Sequence, residues 1–223
     1  FLGCALVLQK FETGHHFSYS ILRAVYLNLS TQRLRVLPPS VLSNSMLESL
    51  DLDRNKLRSI TGISKLCNLK KLILSKNEFV DFPNEIQSLV CLERLELNQN
   101  QIRIIPEGVF SHLPRLKHLR LNNNRLCALP RDLAACGGSL QYLNISNNLF
   151  RTFPQPVLQL ARLQELHVIT AMLAERKSNL AHFIDNLEGS EEPKFYVDQW
   201  ERLKEMESCA LTVGLRFSWA LAG

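Results

Sequence analysis

The chain has 223 residues, 46% hydrophobic and 21% charged, a balance that excludes a largely disordered polypeptide and allows about one and a half ordinary domains. Its 26 Lys and Arg against 21 Asp and Glu give a formal net charge of +5, too weak by itself to argue for nucleic acid. Nine Gly and nine Pro exclude collagen-like and low-complexity character, and six cysteines are too few for a disulfide-dense scaffold.

Residue 1 is Phe and the first Met is Met46, so the sequence reads as a fragment or as lacking its true start. The apolar opening Phe1–Leu8 has neither a basic flank nor a small-residue cleavage site, which makes it a poor signal peptide. No run approaches the ~20 apolar residues of a membrane helix, and Arg216 interrupts the apolar tail from Ala210 to Gly223. No membrane insertion is expected. Residues 1–23 are expected to form an N-terminal cap with a strand and a short helix. Within it, His15 and His16 have no carboxylate or cysteine at ligand spacing and read as an exposed loop.

From residue 24 one frame recurs. Leu47, Leu50, Leu52, Asn55 and Leu57 have the form LxxLxLxxNxL. It returns at Leu69-Leu72-Leu74-Asn77-Phe79, Leu92-Leu95-Leu97-Asn100-Ile102, Leu116-Leu119-Leu121-Asn124-Leu126 and Leu140-Leu143-Ile145-Asn148-Phe150. Weaker copies flank these, beginning at Ala24 with Gln32 in the asparagine position, and at Leu163 with Ala171 there. Successive starting points are 22 to 24 residues apart, the signature of a solenoid.

On these motifs the chain resembles the leucine-rich repeat family over residues 24 to about 173. The resemblance implies an α/β leucine-rich repeat solenoid, right-handed and curved, with parallel strands on the concave face and non-repeat caps. Three parts are expected: an N-terminal cap at 1–23, a domain of about seven repeats at 24–173, and a helical cap or tail at 174–223.

The alternation in LxxLxL independently puts leucines on one face of a short strand and variable residues on the other. Asn55, Asn77, Asn100, Asn124 and Asn148 supply a side chain that both donates and accepts where backbone is left unpaired at the turn. They are expected to form a buried ladder that Gln32 partly extends and Ala171 ends. Leu-Pro or similar pairs at Pro38, Pro83, Pro106, Pro130 and Pro154 turn the chain toward short helical or 3₁₀ segments on the convex side. The unit from Leu47 is shorter and lacks that Pro, a mixture found among intracellular members of the family.

Cys4, Cys67, Cys91, Cys127, Cys136 and Cys209 are scattered, with no CxxC spacing. Extracellular members usually carry clustered cysteines around the repeats, so free thiols and a cytoplasmic location are expected. Asn28-Leu-Ser30 and Asn144-Ile-Ser146 match the glycosylation triplet, but their asparagines fall inside predicted strands and are discounted. Apolar spacing from Met172 to Leu187 predicts an amphipathic helix over roughly 171–187. Ser190 and Glu191-Glu192-Pro193 suggest the start of another, carrying Tyr196, Val197, Trp200, Leu203 and Met206.

No phosphate-binding Gly-rich loop, GxSxG or HExxH is present. Glu93 and Glu96 flank Arg94 and read as ion-paired groups on a solvated surface. No enzyme activity, cofactor or metal is expected. The positions freed from the core are the variable ones on the strands. Asp51, Asp53, Lys71, Ile73, Arg94, Glu96, His118, Arg120, Tyr142, Asn144 and His167 are therefore expected to form a concave protein-binding face. Two basic bands, Arg54 to Lys76 and Arg115 to Arg131, suggest a protein partner with an acidic surface. They lack the interleaved aromatics of a nucleic-acid surface.

The resemblance thus implies a non-enzymatic interaction module, a scaffold, adaptor or regulatory subunit in intracellular signalling, expected to be monomeric. Two alternatives are the recognition part of a larger enzyme such as a ubiquitin ligase or kinase, and an extracellular receptor ectodomain.

Overall fold

A computed structural model of the chain describes residues 5–7, 24–150, 154–168 and 194–197. His15, His16, Ala171 and the helix expected over 171–187 lie outside them. Among the described residues nine strands form one parallel sheet in chain order. They are β1 (Ala5–Val7), β2 (Tyr26–Asn28), β3 (Ser49–Asp51), β4 (Lys71–Ile73), β5 (Arg94–Glu96), β6 (His118–Arg120), β7 (Tyr142–Asn144), β8 (Glu165–Val168) and β9 (Lys194–Val197).

Most strands are only three residues long, and the repeat explains why. The central residues Leu27, Leu50, Leu72, Leu95, Leu119, Leu143 and Leu166 are in register across β2–β8. All seven are buried. Alternation along a strand then turns the residues on either side of each leucine to the opposite face. Two leucine columns before and after complete one continuous core.

The chain returns through short 3₁₀ segments at Ile63–Lys65, Asn84–Ser88, Phe110–His112, Arg131–Gly138 and Gln155–Gln159, with a four-residue helical turn at Pro39–Leu42. Pro38, Pro83, Pro130 and Pro154 each immediately precede such a segment in extended backbone, where a fixed φ and a missing N–H cost nothing. Two units differ. The Pro-less one uses Gly62 at φ 89°, and the unit after Pro106 uses Gly108 at φ 92°. A left-handed glycine does there what proline does elsewhere.

The five asparagines make a repeated set of bonds. Asn100 Nδ2 donates to Leu97 O in its own unit and to Leu74 O in the preceding one, both at 3.0 Å. Its Oδ1 accepts from Phe79 N at 3.2 Å. Asn55, Asn77, Asn124 and Asn148 repeat the pattern. Four of them are buried, while Asn148 is half-buried. Gln32 makes a local bond to Ser30 O at 3.1 Å. The residue before each asparagine has a left-handed φ between 52° and 56°, at Arg54, Lys76, Gln99, Asn123 and Asn147. The sequence pattern of leucines and asparagines carries no sign of that turn.

One expectation is overturned. The second C-terminal helix was expected to include Tyr196 and Val197, yet Lys194–Val197 is a strand paired in parallel with β8. Phe195, Tyr196 and Val197 favour a pleated surface, and the edge of β8 offers unpaired backbone groups. A strand also falls within residues 1–23, where β1 pairs with β2.

Cys136 sits in the core, its Sγ 3.6 Å from Phe110 O and 3.7 Å from Leu113 O. Burial, aided by Asp132, pushes its thiol pKa up to about 12. Cys67 and Cys127 are exposed free thiols. With a thiol reagent at pH 8, Cys136 is expected to react on the order of 100-fold more slowly than Cys67 or Cys127 until the protein is unfolded. Comparable rates in the native protein, read by mass spectrometry of labelled peptides, would contradict its place in the core.

Candidate concave interaction surface

Two rows of side chains cross the concave face. In the first, Lys71, Arg94, His118, Tyr142 and Glu165 are in register on β4–β8; in the second, Asp51, Ile73, Glu96, Arg120, Asn144 and His167 are in register on β3–β8. Neighbouring strands lie roughly 4.8 Å apart, so residues far apart in sequence are forced into contact.

Glu96 is at the centre and only 6% exposed. This corrects the solvated setting expected for it, because Arg94 and Arg120 close over it from either side. Its Oε1 accepts from Arg94 Nε at 2.6 Å and pairs with Nη2 at 2.5 Å. Its Oε2 is 3.9 Å from Arg120 Nη1. A buried carboxylate needs such partners, since an unpaired charge there is strongly destabilising.

Beyond Arg120 lies an aromatic stack. Its guanidinium carbon is 5.3 Å from the Tyr142 ring centroid, a cation–π geometry. His118 stacks on Tyr142 with centroids 3.9 Å apart and planes 7° apart, and His167 meets the same ring at 5.2 Å. His167 Nε2 lies 2.7 Å from Glu165 Oε1. Burial, reinforced by the charges of Arg94 and Arg120, lowers the His118 pKa to about 4. At neutral pH this ring is therefore an uncharged stacking surface.

The remaining expected residues are less tightly joined. Asp51 Oδ1 and Asn144 Oδ1 accept the N–H groups of Asp53 and Ser146, closing the strand ends. Asp53 also accepts from Ser75 Oγ at 2.8 Å, and Ile73 is half-buried between these acids and Glu96. Asn98 and Asn122, in the next row out, each bury an Oδ1 that makes no hydrogen bond to protein, as do His118 Nε2 and Arg120 Nε. Such buried, unpaired groups call for an explanation, and four gather on two neighbouring repeats.

Three cations of the basic bands read along the sequence pair with acids on neighbouring repeats. Lys70 pairs with Glu48, Arg58 with Glu78 and Lys117 with Glu93, each at 2.9 Å. Those acids are 20 to 24 residues away in sequence, so only the repeat period could have revealed the pairs. Lys71 forms no ion pair among the described residues. Among those residues no three His, Cys, Asp or Glu side chains are grouped to hold a metal ion, and no helix is long and apolar enough to cross a membrane.

A family model described as leucine rich repeat matches residues 67–126, and a second so described matches 139–160. The mouse (Mus musculus) volume-regulated anion channel subunit LRRC8B is 33% identical over 96 residues, 43% of this chain and 12% of that protein. The bovine (Bos taurus) geranylgeranyl transferase type-2 subunit alpha is 35% identical over 98 residues, 43% of this chain and 17% of that protein. The chain thus aligns with less than a fifth of either relative. Among solved structures, internalin C2 of Listeria monocytogenes superposes with a TM-score of 0.64 at 20% identity, covering 83% of this chain and 78% of that one. At that identity the likeness shows the fold alone.

Proposed function

We propose that this chain, a leucine-rich repeat protein, is a non-enzymatic interaction module that binds a protein partner through its concave sheet, as a scaffold, adaptor or regulatory subunit in intracellular signalling. Leucine-rich repeat domains are in general protein-binding modules. The observation that carries the reading for this chain is the cluster of Arg94, Glu96, His118, Arg120 and Tyr142. Tyr and Arg are the residue types that anchor interfaces, and here they are held in place by one another before any partner arrives. That lowers the ordering cost of binding.

The partner's matching surface is acidic. On the concave strands β4–β6 the attraction comes from Lys71, Arg94 and Arg120, against the one buried carboxylate of Glu96. The scattered free thiols Cys67, Cys91, Cys127 and Cys136 support a reducing, cytoplasmic setting.

The test is co-purification with mass spectrometry, comparing wild type with K71E/R94E/R120E, and circular dichroism to check folding. Capture of the concave-face partners is expected to fall by about 10-fold or more. Unchanged partners in a folded variant would move recognition to the convex side or the C-terminal region.

A second reading is that the chain serves as the recognition part of a larger protein, including an enzyme. It is favoured by the small share of its relatives that it spans, one of them a transferase subunit. The full-length transcript tests it.

A further inference from the structure

We infer that Arg120 anchors a carboxylate of an extended, acidic partner segment, that Lys71 reads a second carboxylate four residues away, and that Glu96 is an internal counter-ion which the partner does not touch. The inference rests on the concave-face reading above and specifies its chemistry.

The two arginines beside Glu96 are not equivalent. Arg94 gives two donors to Oε1 at 2.5–2.6 Å and is neutralised by it. Arg120 is 3.9 Å from Oε2, beyond hydrogen-bond reach; its Nε is buried without a hydrogen bond to protein, which leaves the Nη groups to meet a partner. Its side chain is 37% exposed, whereas that of Glu96 is 8% exposed. The Tyr142 ring, with its centroid 5.3 Å from the guanidinium carbon, holds the cation beside it. A planar cation so placed, with its Nη groups making no hydrogen bond among the described residues, is suited to receive a carboxylate in two-point fashion.

The surrounding charges leave the position electropositive. On β4–β7, Lys71, Arg94 and Arg120 face one carboxylate, Glu96. Of the other acids on this face, Asp53 pairs with Arg54, and Asp51 and Glu165 lie on the outer strands β3 and β8.

Spacing sets the partner's geometry. Lys71 is in the first row on β4 and Arg120 in the second row on β6, two strands and two residues apart. Standard sheet dimensions put their Cα atoms roughly 12 Å from each other. In an extended peptide, residues i and i+4 share a face and are roughly 13 Å apart. In a helix the same pair is separated by only about 6 Å along the axis. A Glu-x-x-x-Glu pair therefore matches the surface in extended form and not in a helix.

The experiment is fluorescence anisotropy of the full chain with fluorescein-labelled Gly-Glu-Ser-Pro-Ser-Glu-Gly, in which Pro disfavours helix, and with the same peptide carrying Gln for both Glu. The acidic peptide is expected to bind at least tenfold more tightly than the Gln peptide. R120Q and K71Q should each weaken it about five- to tenfold, and E96Q should tighten it about threefold by removing the competitor for Arg120. Equal or undetectable binding of the two peptides overturns the inference. So does weaker binding to folded E96Q, which would make Glu96 itself the reader of the partner. Should R120Q fail to fold, K71Q carries the same decision on its own. If K71E/R94E/R120E loses its cellular partners while the peptides show no preference, this inference fails and the concave-face reading stands. If that variant keeps its partners, the broader reading fails as well.

Discussion

Phe110→Ala is expected to lower the unfolding free energy by about 3–5 kcal/mol, the cost of emptying a fully buried aromatic site. Phe110 is at 0% exposure and packs edge-on against Phe82, with ring centroids 6.3 Å apart. Its backbone is committed on both sides: its N–H donates to Asp132 Oδ2 at 2.7 Å, and its carbonyl lies against Cys136 Sγ. Three successive units therefore meet at one ring. In a solenoid each unit is held by its neighbours, so a cavity at a junction weakens both flanks and no separate core compensates. Ile104→Ala is the matched control, an apolar residue that is 69% exposed, and it is expected to change stability by less than about 0.5 kcal/mol. Urea titration followed by circular dichroism reads both variants. Similar midpoints for the two would mean that Phe110 does not hold these units together.

Asn100→Ala is expected to cost about 2–3 kcal/mol, because it leaves Leu74 O, Leu97 O and Phe79 N without the side chain that satisfies them. Those groups cannot turn to water, since Asn100 and the leucines around it are buried. Asn148→Ala removes the equivalent bonds at a half-buried place near the end of the ladder, so it should cost less. Gln99→Ala is the neighbouring control. Gln99 is exposed with φ 56°, and alanine bears the same left-handed backbone strain as glutamine, which leaves the change near neutral. Equal denaturation midpoints for Asn100→Ala and Gln99→Ala would refute the ladder as a source of stability.

The concave cluster shows how far a linear reading reaches. Alternation around each leucine placed Arg94, Glu96, His118, Arg120 and Tyr142 on one face, because period-two geometry depends on nothing but the strand. It could not place Glu96 under its neighbours. The burial comes from two arginines contributed by β5 and β6, which lie 26 residues apart in sequence, and the stack of His118 on Tyr142 joins β6 to β7. The basic bands show the same limit. Charge reads along the chain, while part of its compensation runs across it, from Lys70 to Glu48 and from Lys117 to Glu93.

The repeat is legible in the linear chain: its period, its leucine core, its asparagine positions and the proline turns. Each of these follows from local backbone preference or from a side chain bonding within one unit and the next. Tertiary structure alone decided the left-handed residue before each asparagine, the strand at Lys194–Val197 and the pairing of charges between units. Strand and helix preferences are too weak to fix Phe195–Val197 until the edge of β8 is there to pair with. The different roles of Arg94 and Arg120 belong with these, since one carboxylate bonds two guanidinium nitrogens of one and stands 3.9 Å from the other. Distances of that kind arise only when the units stack.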